Sequence, residues 1–263
     1  MASAPQNSTL PLFYNDLAPL NRQDHAGWQS RGTDRAPWLV GQHAIPLTVE
    51  EFPMAQRHFP IIFSGGDDPV PLALLGMNEG VNVFVDDEGV MTDPVYLPAY
   101  ARRYPFMLAK LRPDSEELSL CFDPTSGLVG EFDDGAPLFD GEEASETTKG
   151  MLQFCEQFEI AGQKTAQFVA ELKKHDLLMD GELALQIDGQ EQPFTYRGFR
   201  MVDEAKLREV RGDVLRGWNQ SGLLPLVYAH LFSLDLVREI FGRQVQMGKG
   251  PIEAPQAGAP LPA

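Results

Sequence analysis

The sequence predicts an α+β fold, mainly an antiparallel β meander or partly closed barrel packed by a long helix and C-terminal helices. Three observations carry this prediction. Residues 59–64 (FPIIFS), 71–77 (PLALLGM) and 81–85 (VNVFV) are short apolar runs separated by GGDDP and NEG turn signals, the pattern of strands joined by tight turns. Met151, Cys155, Phe158, Thr165, Phe168, Val169 and Leu172 form one stripe at helical spacing, as on an amphipathic helix. The strand-like runs follow one another too closely for repeated crossover helices, which argues against a doubly wound parallel sheet.

Taken in order, residues 10–20 supply a first strand. An irregular stretch follows that holds Trp28 and Trp38, whose large rings close one end of the core. Thr48-Val-Glu-Glu51 reads as a capping box opening a short helix through His58, in which hydroxyl and carboxylate each satisfy a free amide. Pro53 kinks or shortens that helix. After the meander, Asp86-Asp-Glu-Gly89 is a turn, residues 97–104 a helical turn, and residues 106–111 and 118–122 continue the sheet. Residues 113–146 carry many Asp and Glu and no Lys or Arg, and read as a solvated loop region with one or two edge strands. The apolar stripe then makes the longest helix, over about residues 145–178, lying across the sheet. Residues 182–187 and 192–196 form a hairpin about Asp188-Gly189, a dipeptide suited to the positive φ angles of a tight turn. Asp203 caps a helix over residues 204–210; helices over 213–219 and, as one or two pieces, 223–243 complete the chain.

No fixed-period repeat and no sharp change of composition divides the sequence, so residues 9–247 are expected to form a single α+β domain. Residues 1–8 and the Gly/Pro/Ala-rich residues 248–263 are expected to be flexible ends.

A formal charge of -17, with no compensating basic run, excludes nonspecific nucleic-acid binding and disfavours anionic membrane surfaces. Its ordinary meaning is solubility. Cys121 and Cys155 lack CxxC spacing and exclude a disulfide framework. The first residues have neither a basic region nor a long apolar region, and nothing approaches the roughly 20 apolar residues that span a bilayer. A cytoplasmic protein without membrane association is expected.

No complete catalytic, metal or nucleotide signature is present. His25, His43, His58, His175 and His230 show no HxH, HxD or HExxH spacing, so no metal is expected. Asp24-His25 has no GxSxG elbow to act on. Ser64-Gly65-Gly66-Asp67-Asp68 lacks the Lys of a phosphate loop, and the DDEG and DDG segments lack a full calcium-ligand series. No cofactor is expected, and whether the protein is an enzyme stays open.

The best candidate site is Tyr100, Arg102, Arg103, Tyr104 and Phe106, two guanidinium groups and three aromatics in an acidic chain. Arg suits bidentate recognition of carboxylate or phosphate and stacking on rings. Arg197, Phe199 and Arg200 form the second part of the site if the hairpin packs beside the first sheet. The alternative is structural: the arginines pair with nearby acids while the aromatics fill the core. Likewise the helix stripe and residues 223–232 are core packing, or, if left exposed, a homodimer or partner surface.

The segments FPIIFSGGDDPVPLALLG, VNVFVDDEG, YLPAYARRYPF, the acidic LFDGE stretch and YRGFRMVDEAKL, in this order, resemble the SapC family of bacterial proteins over about residues 12–232. The family is named for an association with bacterial surface layers, and its relatives are encoded beside flavin-dependent halogenase-like and cupin-like proteins. The resemblance implies an accessory or substrate-presenting role with a halogenase-like or cupin-like partner. The leading expectation is thus a noncatalytic accessory or binding protein that recognises a protein, peptide or anionic small molecule through an Arg/aromatic surface. An enzyme whose site is assembled from distant residues, or a surface-layer-associated structural protein, are the alternatives.

Overall fold

The computed structural model, which describes residues 10–112, 117–185 and 193–250, opens with β1 (Ala18–Pro19), α1 (Arg22–His25) and β2 (Gln29–Ser30). The strand expected over residues 10–20 contracts to β1 because Pro11 lacks an amide donor and Phe13 turns the chain at φ 81°. Next come β3 (Ala44–Pro46), a 3-10 turn at Val49–Glu51, α2 (Phe52–Ala55), β4 (Ile61–Phe63) and β5 (Pro71–Leu74). The capping box forms: one Glu51 oxygen accepts from the Thr48 amide and from its hydroxyl, both at 2.9 Å. Pro53 sits in the first turn of α2, where no intrahelical donor is needed. The helix ends before His58 because Pro60 forces the preceding backbone to extend.

Then follow α3 (Ala99–Arg102), β6 (Phe106–Lys110), β7 (Leu118–Phe122), β8 (Val129–Gly130), β9 (Ala136–Pro137), β10 (Phe139–Asp140) and β11 (Glu143–Ala144). Beyond β7, the described part of the acidic region therefore carries four two-residue strands rather than the expected one or two edge strands. Helix α4 (Glu146–Lys174) is capped by the Ser145 hydroxyl, which accepts from the Thr148 amide. At 29 residues it is about 43 Å long at 1.5 Å per residue. It stops short of residue 178 because Asp176 adopts φ 53° and turns the chain into β12 (Leu178–Asp180). β13 (Leu183–Leu185) and β14 (Phe194–Tyr196) pair as the expected hairpin, with the Asp188-Gly189 turn outside the described residues. β15 (Arg200–Val202), α5 (Glu204–Glu209, capped by Asp203), α6 (Gly212–Ser221), α7 (Leu223–Ser233) and α8 (Val237–Gln246) finish the described chain.

The larger sheet has the order β12-β15-β4-β5-β3, antiparallel throughout and open rather than closed into a barrel. Residues 81–85 do not join it. All five are buried, so the run has no solvent face, and outside a single bridge from Val85 to Met91 it is tied by isolated bonds such as Val83 N–H to Leu75 O at 2.9 Å. A Cβ on Gly76 would lie 2.0 Å from the Val81 carbonyl oxygen. β3 takes the place beside β5 that the meander reading gave to these residues. Nor do β6 and β7 extend this sheet: they form a second one, β1-β7-β6, while α3 lies near edge strand β3.

Each sheet has its own core. Phe52, Phe59, Phe63, Ile45, Ile61 and Leu74 are fully buried around the larger sheet, and Phe106, Phe122, Leu138 and Cys155 lie in the smaller core. Full burial of such side chains contributes roughly 1.5–3 kcal/mol each. Helix α4 belongs to both cores, through Cys155 toward its start and Phe168 and Leu172 toward its end.

One buried histidine knits the larger sheet. β15 and β4 share a single register pair, Arg200 with Phe63. The ring of His230 on α7 donates from Nδ1 to the Ile61 carbonyl at 2.7 Å and accepts at Nε2 from the Val202 amide at 3.0 Å. Ser233 Oγ accepts from the Ile61 amide at 2.8 Å. Two side chains of one helix thus complete the backbone pairing that the strands leave unmade. Among the described residues, no helix is long and apolar enough to cross a membrane.

Candidate functional site

The cationic-aromatic segment is held by a buried carboxylate. Glu51, besides closing its capping box, accepts from the Ala99 amide at 2.6 Å and from the Tyr96 hydroxyl at 3.0 Å, fixing the start of α3 to the 3-10 turn. Successive residues of a helix point about 100° apart, so Arg102 and Arg103 leave α3 in different directions.

Arg103 goes inward. It is 4% exposed, with its guanidinium carbon 4.5 Å from the Tyr100 ring centre and 4.4 Å from that of Phe158. Nη1 lies 3.7 Å from Glu159, and the buried Nε has no hydrogen-bond partner among the described residues. Tyr100 is buried and donates to the Leu12 carbonyl at 3.2 Å. Tyr104 is buried too, its hydroxyl 3.4 Å from Asp123 Oδ2, and its pKa is pushed up to about 12, first by burial and then by the Asp123 carboxylate. Phe106 belongs to the smaller core. Three predicted site residues, Tyr100, Arg103 and Tyr104, are therefore drawn together as packing.

Arg102 goes outward. Its Nε donates to the Leu97 carbonyl at 2.9 Å and its Nη2 to the Tyr96 hydroxyl at 3.2 Å, and the group lies over the rings of Phe154 and Tyr96 at 5.2 and 5.6 Å. Among the described residues it pairs with no carboxylate. It lines a cavity of about 530 Å³ whose walls include Trp38, Met91, Leu97, Tyr104 and Met151. At the rim, Arg31 pairs with Asp134 and Arg35 with Glu88, both at 2.6 Å, and Asp34 is exposed. The Trp38 ring packs 4.8 Å from Tyr104, and its buried indole Nε1 has no hydrogen-bond partner among the described residues.

Arg197, Phe199 and Arg200 do not converge on this place. Arg197 pairs with Glu182 at 2.9 Å; Arg200 lies 3.7 Å from Asp180 and donates to the Gly66 carbonyl at 3.5 Å. Phe199 is buried, stacked 5.1 Å from Tyr196 and pressed on Gly181. β15, which carries Arg200, is separated from β3 and its neighbour α3 by β4 and β5. The expected single Arg/aromatic surface is thus two separate places, because the hairpin stands toward the opposite edge of the sheet.

Sequence reasoning did not connect Trp38, Arg31 and Arg35 with Arg102. Trp38 was expected only to close a core, and nothing in local spacing joins residues so far apart in the chain. Two further cavities flank α4. One, about 480 Å³, has apolar walls that include Leu47, Val70, Tyr100, Phe158 and Val169. The other, about 580 Å³, includes Glu171, which accepts from Trp218 Nε1 at 3.2 Å and faces His175 Nε2 at 3.1 Å. Burial pushes the thiols of Cys121 and Cys155 up to about 11, so both stay protonated at neutral pH. Among the described residues, no three His, Cys, Asp or Glu side chains are grouped to hold a metal.

A family model described as SapC matches residues 20–240 of the chain. No curated protein and no solved structure matches it.

Proposed function

As the chain belongs to the SapC family, we propose that it is a noncatalytic binding protein that takes an anionic group, borne by a small molecule or a peptide, at the Arg102 cavity. One observation carries the reading: Arg102 presents a guanidinium without a carboxylate partner among the described residues, in a chain of net charge -17. Most other arginines are committed, as Arg31, Arg35, Arg197 and Arg243 are to acids. A guanidinium held by neutral oxygens and ring faces keeps its charge available for a ligand, and the apolar cavity wall strengthens that attraction by displacing water.

The role fits an accessory protein that holds or presents a ligand to a halogenase-like or cupin-like partner. The reading places it in the cytoplasm, where the free thiols of Cys121 and Cys155 would persist. A melting-temperature screen of the wild-type protein against carboxylates, phosphates and their neutral amide or alcohol analogues tests it. Saturable stabilisation by members of the anionic set, absent with the matched neutral compounds, is expected; stabilisation by neutral compounds alone, or by none, would overturn it.

A further inference from the structure

We propose that the apolar cavity beside α4 is a second binding site, and that it takes an unbranched fatty carboxylate lying along the helix. It shares no lining residue with the Arg102 cavity. α4 contributes Phe158, Gly162, Ala166, Ala170 and Lys173, and the chain next to β3 and β5 contributes Leu47 and Val70. Fifteen residues separate Phe158 from Lys173, so the trough runs about 22 Å along the helix at 1.5 Å per residue. The hydrocarbon core of a bilayer is about 30 Å thick, so one acyl chain extends roughly 15 Å, and a carboxylate fits in the length that remains. The volume, about 480 Å³, is of the size that takes small ligands.

Polarity sets the ligand class and its direction. Apart from Lys173 and Asp68, the polar side chains of the lining are satisfied within the protein. The Tyr100 hydroxyl donates to the Leu12 carbonyl at 3.2 Å and the Thr48 hydroxyl to Glu51 at 2.9 Å. The Thr165 hydroxyl donates to the Ala161 carbonyl at 2.7 Å and accepts from the Val49 amide at 3.0 Å. These side chains leave no donor or acceptor for a ligand, which suits methylenes and disfavours a peptide, whose amides would be desolvated without partners. The end at Lys173 differs. Its Nζ donates to the Asp67 carbonyl at 2.5 Å and to Asp68 Oδ1 at 3.2 Å, and the third donor of the ammonium is free for a ligand oxygen. The Asp68 side chain is 99% exposed; so open an ion pair contributes little, and a ligand carboxylate competes with it. At the other end the rings of Phe158 and Tyr100 meet edge on at 6.1 Å, an apolar wall for the methyl end of the chain.

The test measures laurate, hexanoate and dodecanol by equilibrium dialysis against the lipid-stripped wild-type protein, Gly162→Leu and Lys173→Gln. A Cβ at Gly162 would meet nothing within 4 Å, so Gly162→Leu fills the trough without a clash in the fold. Expected is one saturable laurate site per chain, with hexanoate roughly a hundredfold weaker for its missing methylenes. Gly162→Leu should bind laurate at least tenfold more weakly; since Gly162 lines this trough and not the Arg102 cavity, that loss places the ligand here. Lys173→Gln should weaken laurate about tenfold and leave dodecanol unchanged. Ala166→Leu is the second blocking variant if Gly162→Leu does not fold. Absence of saturable laurate binding, or full affinity in a folded blocking variant, overturns the site. Equal losses of laurate and dodecanol in Lys173→Gln overturn the carboxylate end. A wild-type dimer seen by sedimentation and dissolved by Gly162→Leu would give the trough to a second copy of the chain and overturn the ligand.

Discussion

The guanidinium of Arg103 lies 4.4 Å over the ring of Phe158, joining α3 to the middle of α4. With the Tyr100 ring 4.5 Å away and Glu159 at 3.7 Å, this buried cation is part of the frame that positions its neighbour Arg102. Arg103→Ala removes two ring contacts and leaves a cavity, and should cost about 2–4 kcal/mol of stability. Arg103→Met, which fills the space without the partnerless Nε, should cost about 1 kcal/mol or less. Urea unfolding of both variants measures the difference. Equal losses would show that the charge, rather than the filled volume, holds the helices together.

The contrast between Arg102 and Arg103 marks where sequence reading stops. Local features were legible: the Thr48–Glu51 box, the Ser145-led helix and the Asp203 cap each rest on contacts within a few residues. The α+β class also followed from short runs and one long stripe. Residues 81–85 were misread as a strand because an apolar run buried on all sides has no period to betray it. A four-residue helix likewise shows no period that says which arginine faces in. That β6 and β7 would pair apart from the larger sheet, or that Trp38 would meet Tyr104, depends on contacts distant in sequence.

Burial holds the His230 pKa at about 4, below its ordinary 6.5, because a charged ring would be unsolvated there, and the bond from Nδ1 to the Ile61 carbonyl offsets this only in part. The unfolded chain takes up a proton between these values and the folded chain does not. The stability contributed is complete above pH 6.5 and is lost as pH falls toward 4, by about 3 kcal/mol at 1.36 kcal/mol per unit. Denaturant titrations from pH 7.5 to 4 should show that slope, and His230→Gln should remove its share while starting less stable. An identical slope in the variant would contradict the assignment.

Glu51 receives four donors, from the Thr48 amide and hydroxyl, Tyr96 and Ala99. Glu51→Gln replaces one accepting oxygen by a donor that faces other donors, and should cost about 2–4 kcal/mol. It should also loosen Tyr96 and with it Arg102. Chemical denaturation gives the first effect. Faster exchange of the Ala99 amide with solvent deuterium gives the second, and unchanged exchange would show that α3 does not depend on Glu51.

Gly76→Ala should destabilise by about 2–4 kcal/mol, since the new methyl would stand 2.0 Å from the Val81 carbonyl oxygen, a backbone atom that cannot turn aside. Gly162→Ala on α4, where nothing lies within 4 Å, should be neutral or slightly stabilising by helix propensity. Melting temperatures of the pair test the close approach, and equal behaviour would refute it.

The central claim is that Arg102 holds the anion, and equilibrium titration of the best-stabilising anion from the screen into wild type, Arg102→Gln and Arg216→Gln tests it most directly. Arg216 is an exposed arginine on α6, outside the cavity. The account predicts at least a tenfold loss of affinity in Arg102→Gln, with Arg216→Gln matching wild type at the same ionic strength. Undiminished affinity in a folded Arg102→Gln protein would contradict it.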